Sequence, residues 1–147
     1  MNNIIISISG LGYVGLPVAI AFDKKNYKII GYDTNEKRVN ELLKNHDITG
    51  EVSKKDIEKS DIFFTSNFED LSIANFHIIT VPTPIDSFNK PDLSLIESAC
   101  AQIGKILKKN DLIIIESTVY PGVTEEIAVP IIEQNSSLKL NIDFSIG

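Results

Sequence analysis

A glycine-rich turn between an apolar strand and a helix constrains the fold of this chain more than any other feature. Residues 4–9 are typical of a buried strand and lead directly into residues 10–15, Gly-Leu-Gly-Tyr-Val-Gly. In this pattern Gly10 permits a tight turn, Gly12 lets a pyrophosphate approach the backbone, and Gly15 lets the helix pack closely on the strand. The amides and the dipole at the start of that helix favour an anion. The pattern therefore predicts a dinucleotide-binding site.

A carboxylate after the second predicted strand extends this fingerprint. Residues 28–32 form that strand, and Asp33 follows it, 18 residues after Gly15. An acid in this place accepts hydrogen bonds from the adenosine ribose, although it would also serve as a helix cap. Arg38 raises the question of NADP, but a 2′-phosphate beside Asp33 would bring two negative charges close together, at a cost on the order of 1–4 kcal/mol. The sequence therefore favours NAD.

Strand and helix patterns alternate along the chain, which predicts an α/β fold. The other strands are expected over residues 61–65, 76–81, 111–116 and 141–146, and the helices over residues 13–25, 35–45, 53–59, 92–109 and 123–135. Asp92 or Asn89 is expected to cap the fourth helix, and Pro130 to interrupt the fifth. The predicted architecture is a single Rossmann-type domain over residues 1–147, with a doubly wound parallel sheet of about six strands in the order 3-2-1-4-5-6.

In such a sheet the ligand crevice lies at the carboxyl ends of strands one and four, where the strand order reverses. Two further turns follow strands at that end, at residues 81–84 (Val-Pro-Thr-Pro) and 116–122 (Glu-Ser-Thr-Val-Tyr-Pro-Gly). Thr83 offers its hydroxyl group there to a ligand, and Ser117 and Thr118 offer theirs to a nicotinamide, a substrate oxygen or a water. The alternatives are a rigid exit from the strand for the first turn and helix capping for the second.

Composition narrows the functional class. A formal charge of −6 and a pI near 4.9 argue against a nucleic-acid or anionic-membrane surface. The single cysteine, Cys100, excludes an internal disulfide and lies among apolar residues of a predicted helix, which favours a core role over that of a nucleophile. We find no metal-ligand spacing, no leader sequence and no apolar run near the ~20 residues of a membrane span. We therefore expect a soluble, cytoplasmic protein without a metal.

Together the motifs resemble the UDP-glucose/GDP-mannose dehydrogenase family. The resemblance rests on residues 10–17, 81–86, 91–93 and 116–122, which occur in the family's order. The later segments are more similar to the branch that acts on UDP-N-acetylhexosamines than to the UDP-glucose branch. The resemblance implies that a UDP-sugar C6 alcohol is oxidised to a carboxylate by two NAD, through a cysteine thiohemiacetal and a thioester.

The resemblance also implies roles for individual residues. The Val14 backbone would meet the pyrophosphate, Asp33 and Arg38 would flank the adenosine ribose, and Thr118 would also position the water near the reacting carbon. The implied cofactor site comprises Gly10, Gly12, Tyr13, Val14, Gly15, Asp33, Arg38, Pro82, Thr83, Ser117 and Thr118.

The chain ends before the family's catalytic segments. Residues 143–147 lie where a Ser-Pro-Glu segment is about to begin, and the family's lysine, asparagine, Gly-x-Cys nucleophile, central helix and UDP-sugar domain come later. Cys100 does not match the context of that nucleophile. We therefore expect an NAD-binding part that does not turn over alone, from a full-length protein that forms a homodimer or larger assembly. The alternatives are the Rossmann domain of a 6-phosphogluconate-type or 3-hydroxyacid-type dehydrogenase and a nucleotide-sensing domain such as those that gate channels.

Overall fold

A single parallel sheet organises the chain. The computed structural model describes residues 4–85 and 90–147. Its strands are β1 (Ile5–Ser9), β2 (Lys28–Tyr32), β3 (Phe63–Thr65), β4 (Phe76–Ile79), β5 (Leu112–Ile115) and β6 (Ser145–Ile146). Their order is β3-β2-β1-β4-β5-β6, and all neighbours are parallel. The predicted Rossmann-type sheet and its strand order are confirmed.

Helices cover both faces of the sheet. They are α1 (Gly15–Asp23), α2 (Glu36–Leu43), α3 (Lys54–Lys59), α4 (Ser94–Ile106) and α5 (Val129–Ser136), with a 3₁₀ helix at Phe68–Ile73 and a π-helical segment at Thr124–Ala128. One core cluster contains Leu16 and Ile57 from the α1–α3 side, and a second contains Ile96 and Ile132 from α4 and α5. Burial on both faces explains why β1, β4 and β5 are almost continuously apolar.

Two elements near the carboxyl end differ from the sequence prediction. The last strand covers only Ser145–Ile146 instead of residues 141–146, because Asn141 adopts a left-handed φ of 61° and begins a turn. The fifth helix is interrupted near Pro130, as expected, but the interruption takes the form of a π-helical segment. Pro130 has no N–H to offer the preceding turn, and the Val129 N–H instead bonds five residues back to the Thr124 carbonyl.

The start of α4 also differs in detail. Leu93 occupies the N-cap position without a side-chain cap, while Asp92 accepts the Ser94 amide at 2.9 Å. Asn89, the other predicted cap, lies outside the described residues. Throughout residues 4–85 and 90–147, none of the helices has the length and apolar character that a bilayer crossing requires.

Candidate cofactor-binding site

A cavity of about 560 Å³ opens where the strand order reverses, at the carboxyl ends of β1 and β4. This volume lies within the usual range for small-molecule sites. Its wall comprises Ser9, Gly10, Gly12, Tyr13, Val14, Tyr32, Asp33, Thr34, Thr80, Val81, Pro82, Thr83, Leu95, Ser98, Ala99, Gln102, Glu116, Ser117 and Thr118. Every residue of the predicted cofactor site is in this wall except Gly15 and Arg38.

The glycine turn is as tight as its sequence suggests. Gly10 has a φ of 101°, which side chains other than hydrogen rarely tolerate, and its amide donates to the Tyr32 carbonyl at 2.9 Å. A Cβ on Gly15 would lie 1.7 Å from the Gly10 oxygen. Gly15 therefore allows α1 to pack closely on the turn, and it does not line the cavity.

Gly12 is different, because a Cβ there would meet nothing within 4 Å. The amides of Gly12, Tyr13 and Val14 bond to no acceptor among the described residues, and the first turn of α1 carries no acidic side chain. Unpaired amides at a helix start attract anions. The open space over Gly12 and these free donors fit a pyrophosphate.

Asp33 ties the end of β2 to the glycine turn. One carboxylate oxygen accepts the Leu11 amide and the other accepts the Asn35 amide, both at 2.9 Å. Asn35, not Asp33, is the N-cap of α2, where it accepts the Lys37 amide at 3.1 Å. Each carboxylate oxygen can accept more than one hydrogen bond, so Asp33 retains acceptor capacity on its cavity side.

Arg38 lies behind the glycine turn. Its residue is 6% exposed, Nε donates to the Leu11 carbonyl at 2.8 Å, and Nη2 pairs with Asp47 at 2.7 Å. The Asp47 side chain is itself only 1% exposed. The ribose contact that the resemblance implies for Arg38 stays a prediction.

The turns after β4 and β5 are held together by their own hydroxyl groups. Ser117 Oγ donates to the Val81 carbonyl at 2.7 Å, and Thr83 Oγ1 donates to the Thr118 carbonyl at 2.8 Å. The Thr83 bond is compatible with a rigid exit from β4, whereas Ser117 does not cap a helix, since its hydroxyl donates to a carbonyl and the N-cap position at Val123 has no side-chain cap. The hydroxyl oxygens remain available as acceptors from a bound group.

Sequence reasoning missed several residues of the cavity wall, among them Thr80 and one face of α4. Thr80 Oγ1 donates to the Gly10 carbonyl at 2.7 Å and so anchors the glycine turn to β4. Leu95, Ser98, Ala99 and Gln102 project from α4. Their i, i+3, i+4, i+7 spacing marks one helix face and is the signal that would have found them. Thr80 had no such signal, because its partner is 70 residues away in the chain.

Cys100 and His77, the other side chains that could react, lie outside the cavity wall. Cys100 is fully buried, and this burial, with a smaller contribution from Glu97, raises the pKa of its thiol to about 12. His77 is buried with Nδ1 at 2.7 Å from Ser7 Oγ, inside the sheet. Within residues 4–85 and 90–147, we find no group of three His, Cys, Asp or Glu side chains arranged to hold a metal.

Fold and cavity together define the class, a dinucleotide-binding Rossmann domain. The free amides, the glycine turn and the acid after β2 are the parts that such domains share. The chain belongs to the UDP-glucose/GDP-mannose dehydrogenase family, whose NAD-binding domain matches residues 4–147.

Relatives and solved structures agree with this assignment. The chain is 49% identical over 142 residues to protein CapL of Staphylococcus aureus, covering 97% of this chain and 33% of that protein. It is 47% identical over 148 residues to the UDP-N-acetyl-D-glucosamine 6-dehydrogenase of Pseudomonas aeruginosa, covering 100% of this chain and 35% of the relative. The structure of a UDP-D-ManNAc dehydrogenase from Pyrococcus horikoshii superposes with a TM-score of 0.88 at 33% identity, covering 97% of this chain and 35% of that one. The chain thus spans about a third of the length of these proteins.

Proposed function

We propose that this chain is the NAD-binding part of a UDP-N-acetylhexosamine 6-dehydrogenase, which oxidises the C6 alcohol of a UDP-sugar to the uronate with two NAD. The observation that carries the proposal is the row of free amides at Gly12, Tyr13 and Val14, three residues in the wall of a cavity that Asp33 also lines. The relatives named for UDP-N-acetyl sugars favour that substrate class over UDP-glucose. The UDP-sugar domain and a homodimeric or larger assembly would belong to the full-length protein.

In this proposal each side of the cavity has its own task. The free amides bind the pyrophosphate and Asp33 accepts from the adenosine ribose. Pro82, Thr83 and Ser117 shape the wall at the nicotinamide end, and Thr118 positions the water or substrate. Bound NAD supplies the hydride acceptor. The protein's residues here hold and orient it, and the Cys100 thiol stays protonated and buried.

The proposal is tested by titrating the 147-residue chain with NAD in a calorimeter and by mixing it with NAD and UDP-N-acetylglucosamine. We expect NAD binding and no NADH absorbance. The absence of any heat of NAD binding would contradict the cofactor assignment. Sustained NADH formation would contradict the view that this part lacks the chemical half of the site.

Gly12→Ala is expected to weaken NAD binding at least about tenfold, the equivalent of about 1.4 kcal/mol. The new methyl group enters the space over the free amides, where the protein has no atom within 4 Å. The temperature of unfolding should stay the same or rise slightly, since the methyl group meets no protein atom and alanine lowers the entropy of the unfolded chain. Calorimetry and circular dichroism measure the two effects separately. A variant with lower stability but unchanged NAD affinity would refute this role for Gly12.

Asp33→Gly is expected to weaken NAD binding and to reduce the preference for NAD over NADP. The change removes a ribose acceptor together with the negative charge that repels a 2′-phosphate. Asp33→Asn is the comparison, because it removes the charge and keeps one acceptor oxygen, while an NH2 donor replaces the other oxygen and loses its amide partner, Leu11 or Asn35. Titrations of both variants with NAD and NADP should show a relaxed preference in each. Unchanged affinities for both cofactors would be incompatible with the proposed role.

A further inference from the structure

Glu116 is a charged residue of the cavity wall to which the proposed function gives no task. It follows β5 directly and is exposed, and its carboxylate has no hydrogen-bond or ion-pair partner among the residues that the structure describes. Asp33 is the other carboxylate of the wall, and each of its oxygens already accepts an amide. The described wall contains no lysine, arginine or histidine. Glu116 is therefore an unpaired negative charge at the cavity.

The register of the sheet determines where this charge lies. The last residues of β2, β1, β4 and β5 are paired in one row across the sheet, namely Tyr32, Ser9, Ile79 and Ile115. Asp33, Gly10 and Glu116 each follow a residue of this row directly. Since neighbouring strands are about 4.8 Å apart, Glu116 lies about 10 Å from Gly10 and about 14 Å from Asp33 along the edge of the sheet. The glycine turn is thus between the two carboxylates.

This order matches the order of the groups in an extended dinucleotide. In the proposed function Asp33 accepts from the adenosine ribose and the glycine turn holds the pyrophosphate. The nicotinamide half then extends over β4 and β5, toward Glu116. The oxidised nicotinamide ring carries a positive charge and the reduced ring carries none, whereas both cofactors have the same phosphate, ribose and carboxamide groups. A carboxylate at this end of the cavity therefore distinguishes the two forms by charge.

We propose that Glu116 is a specificity-determining residue that makes the cavity favour NAD over NADH, through attraction between its carboxylate and the charged ring. At a separation of about 6 Å, with the screening of an exposed carboxylate, this attraction corresponds to a difference in affinity of about three- to tenfold. The inference rests on the proposed function, in which two NAD are consumed in succession. The site must exchange NADH for NAD between the two oxidations, and a charge that favours the oxidised form assists that exchange.

The test is calorimetric titration of the 147-residue chain and of Glu116→Gln with NAD and with NADH. The substitution removes the charge and keeps a hydrogen-bonding group of the same length. We expect the ratio of the Kd of NADH to the Kd of NAD to fall about three- to tenfold. Repulsion between Glu116 and the pyrophosphate cancels in this ratio, because both cofactors carry that group. Glu58→Gln is the control, since it removes the same charge from α3, outside the cavity wall, and should leave the ratio unchanged.

Salt supplies a second measurement. Between about 0.01 M and about 1 M salt the ratio of the unchanged chain should fall toward that of Glu116→Gln, because salt screens exposed charges. The ratio of the variant should stay nearly constant.

An unchanged ratio in Glu116→Gln would overturn the inference, whether both affinities stay the same or fall equally, because a hydrogen bond to the ribose or the carboxamide serves both cofactors alike. An equal shift in Glu58→Gln would also overturn it, because the effect would then belong to net charge and not to the cavity. Failure of the unchanged chain to bind either cofactor would instead overturn the proposed function, and this inference with it.

Discussion

Gly15→Ala is expected to destabilise the native structure of this domain severely. A Cβ at this position would lie 1.7 Å from the Gly10 oxygen and 2.5 Å from Thr80 Oγ1. The first of these atoms is backbone and cannot move aside unless the turn and α1 separate. We expect a loss of at least about 4 kcal/mol, which is large against the 5–15 kcal/mol of a typical domain.

The measurement is chemical unfolding followed by circular dichroism, with Gly12→Ala as the matched control. Both substitutions add one methyl group to the same turn, but only the one at Gly15 meets other atoms. A cooperative transition for Gly15→Ala at the position of the unchanged chain would show that α1 does not pack on the turn as described.

Asp47→Ala is expected to lower the free energy of unfolding by about 3–5 kcal/mol, as is usual when one partner of a buried ion pair is removed. The carboxylate accepts the Arg38 guanidinium, the Thr49 amide and hydroxyl, and the amides of Glu51 and Val52, at 2.7–3.0 Å. Its loss leaves these donors unpaired and the Arg38 charge buried. Chemical unfolding at pH 7 measures the change.

The same carboxylate makes stability depend on pH. Burial by itself would raise the pKa of Asp47, but hydrogen bonds from Thr49, Arg38 and the backbone lower the pKa to about 2. A depressed folded-state pKa contributes stability that is complete above the unfolded value, near 4, and is lost as the pH falls toward 2. When the pH falls toward 2, the unchanged chain should therefore lose about 2 kcal/mol of its free energy of unfolding through Asp47. Asp47→Asn should not show this part of the loss, because its amide does not titrate.

Asp56→Asn is the control for both measurements. Asp56 pairs with Lys24 at 2.9 Å, but both side chains are largely exposed to solvent. Exposed pairs contribute little to stability, so this variant should follow the unchanged chain closely. If Asp47→Asn and Asp56→Asn lost the same stability at every pH, the hydrogen-bond network around Asp47 would have no energetic significance.

Local pattern was sufficient for most of the fold. The glycine turn, the apolar strands and the alternation of elements can each be recognised within one βαβ unit. Together they indicated a Rossmann-type fold, and the expected strand order follows from that fold type. Pro130 was identified as an interruption, since a missing N–H acts within a single turn. The extent of β6 was overestimated, because only the left-handed turn at Asn141 shows where extended backbone begins.

Residues 10–15, with the strand and helix on either side, the second strand and Asp33 after it, carried the expectation of a dinucleotide, and Asp33 carried the preference for NAD, because the chemistry of a tight turn and of a fixed charge is local. Tertiary structure decided how the turn is held. Thr80 and Arg38 bond to its carbonyls from 70 and 27 residues away in the chain. Asp33 proved to bond to the turn itself, and Asn35 to be the helix cap. Such partners meet only when separate βα units pack against each other, and no short-range pattern specifies that meeting.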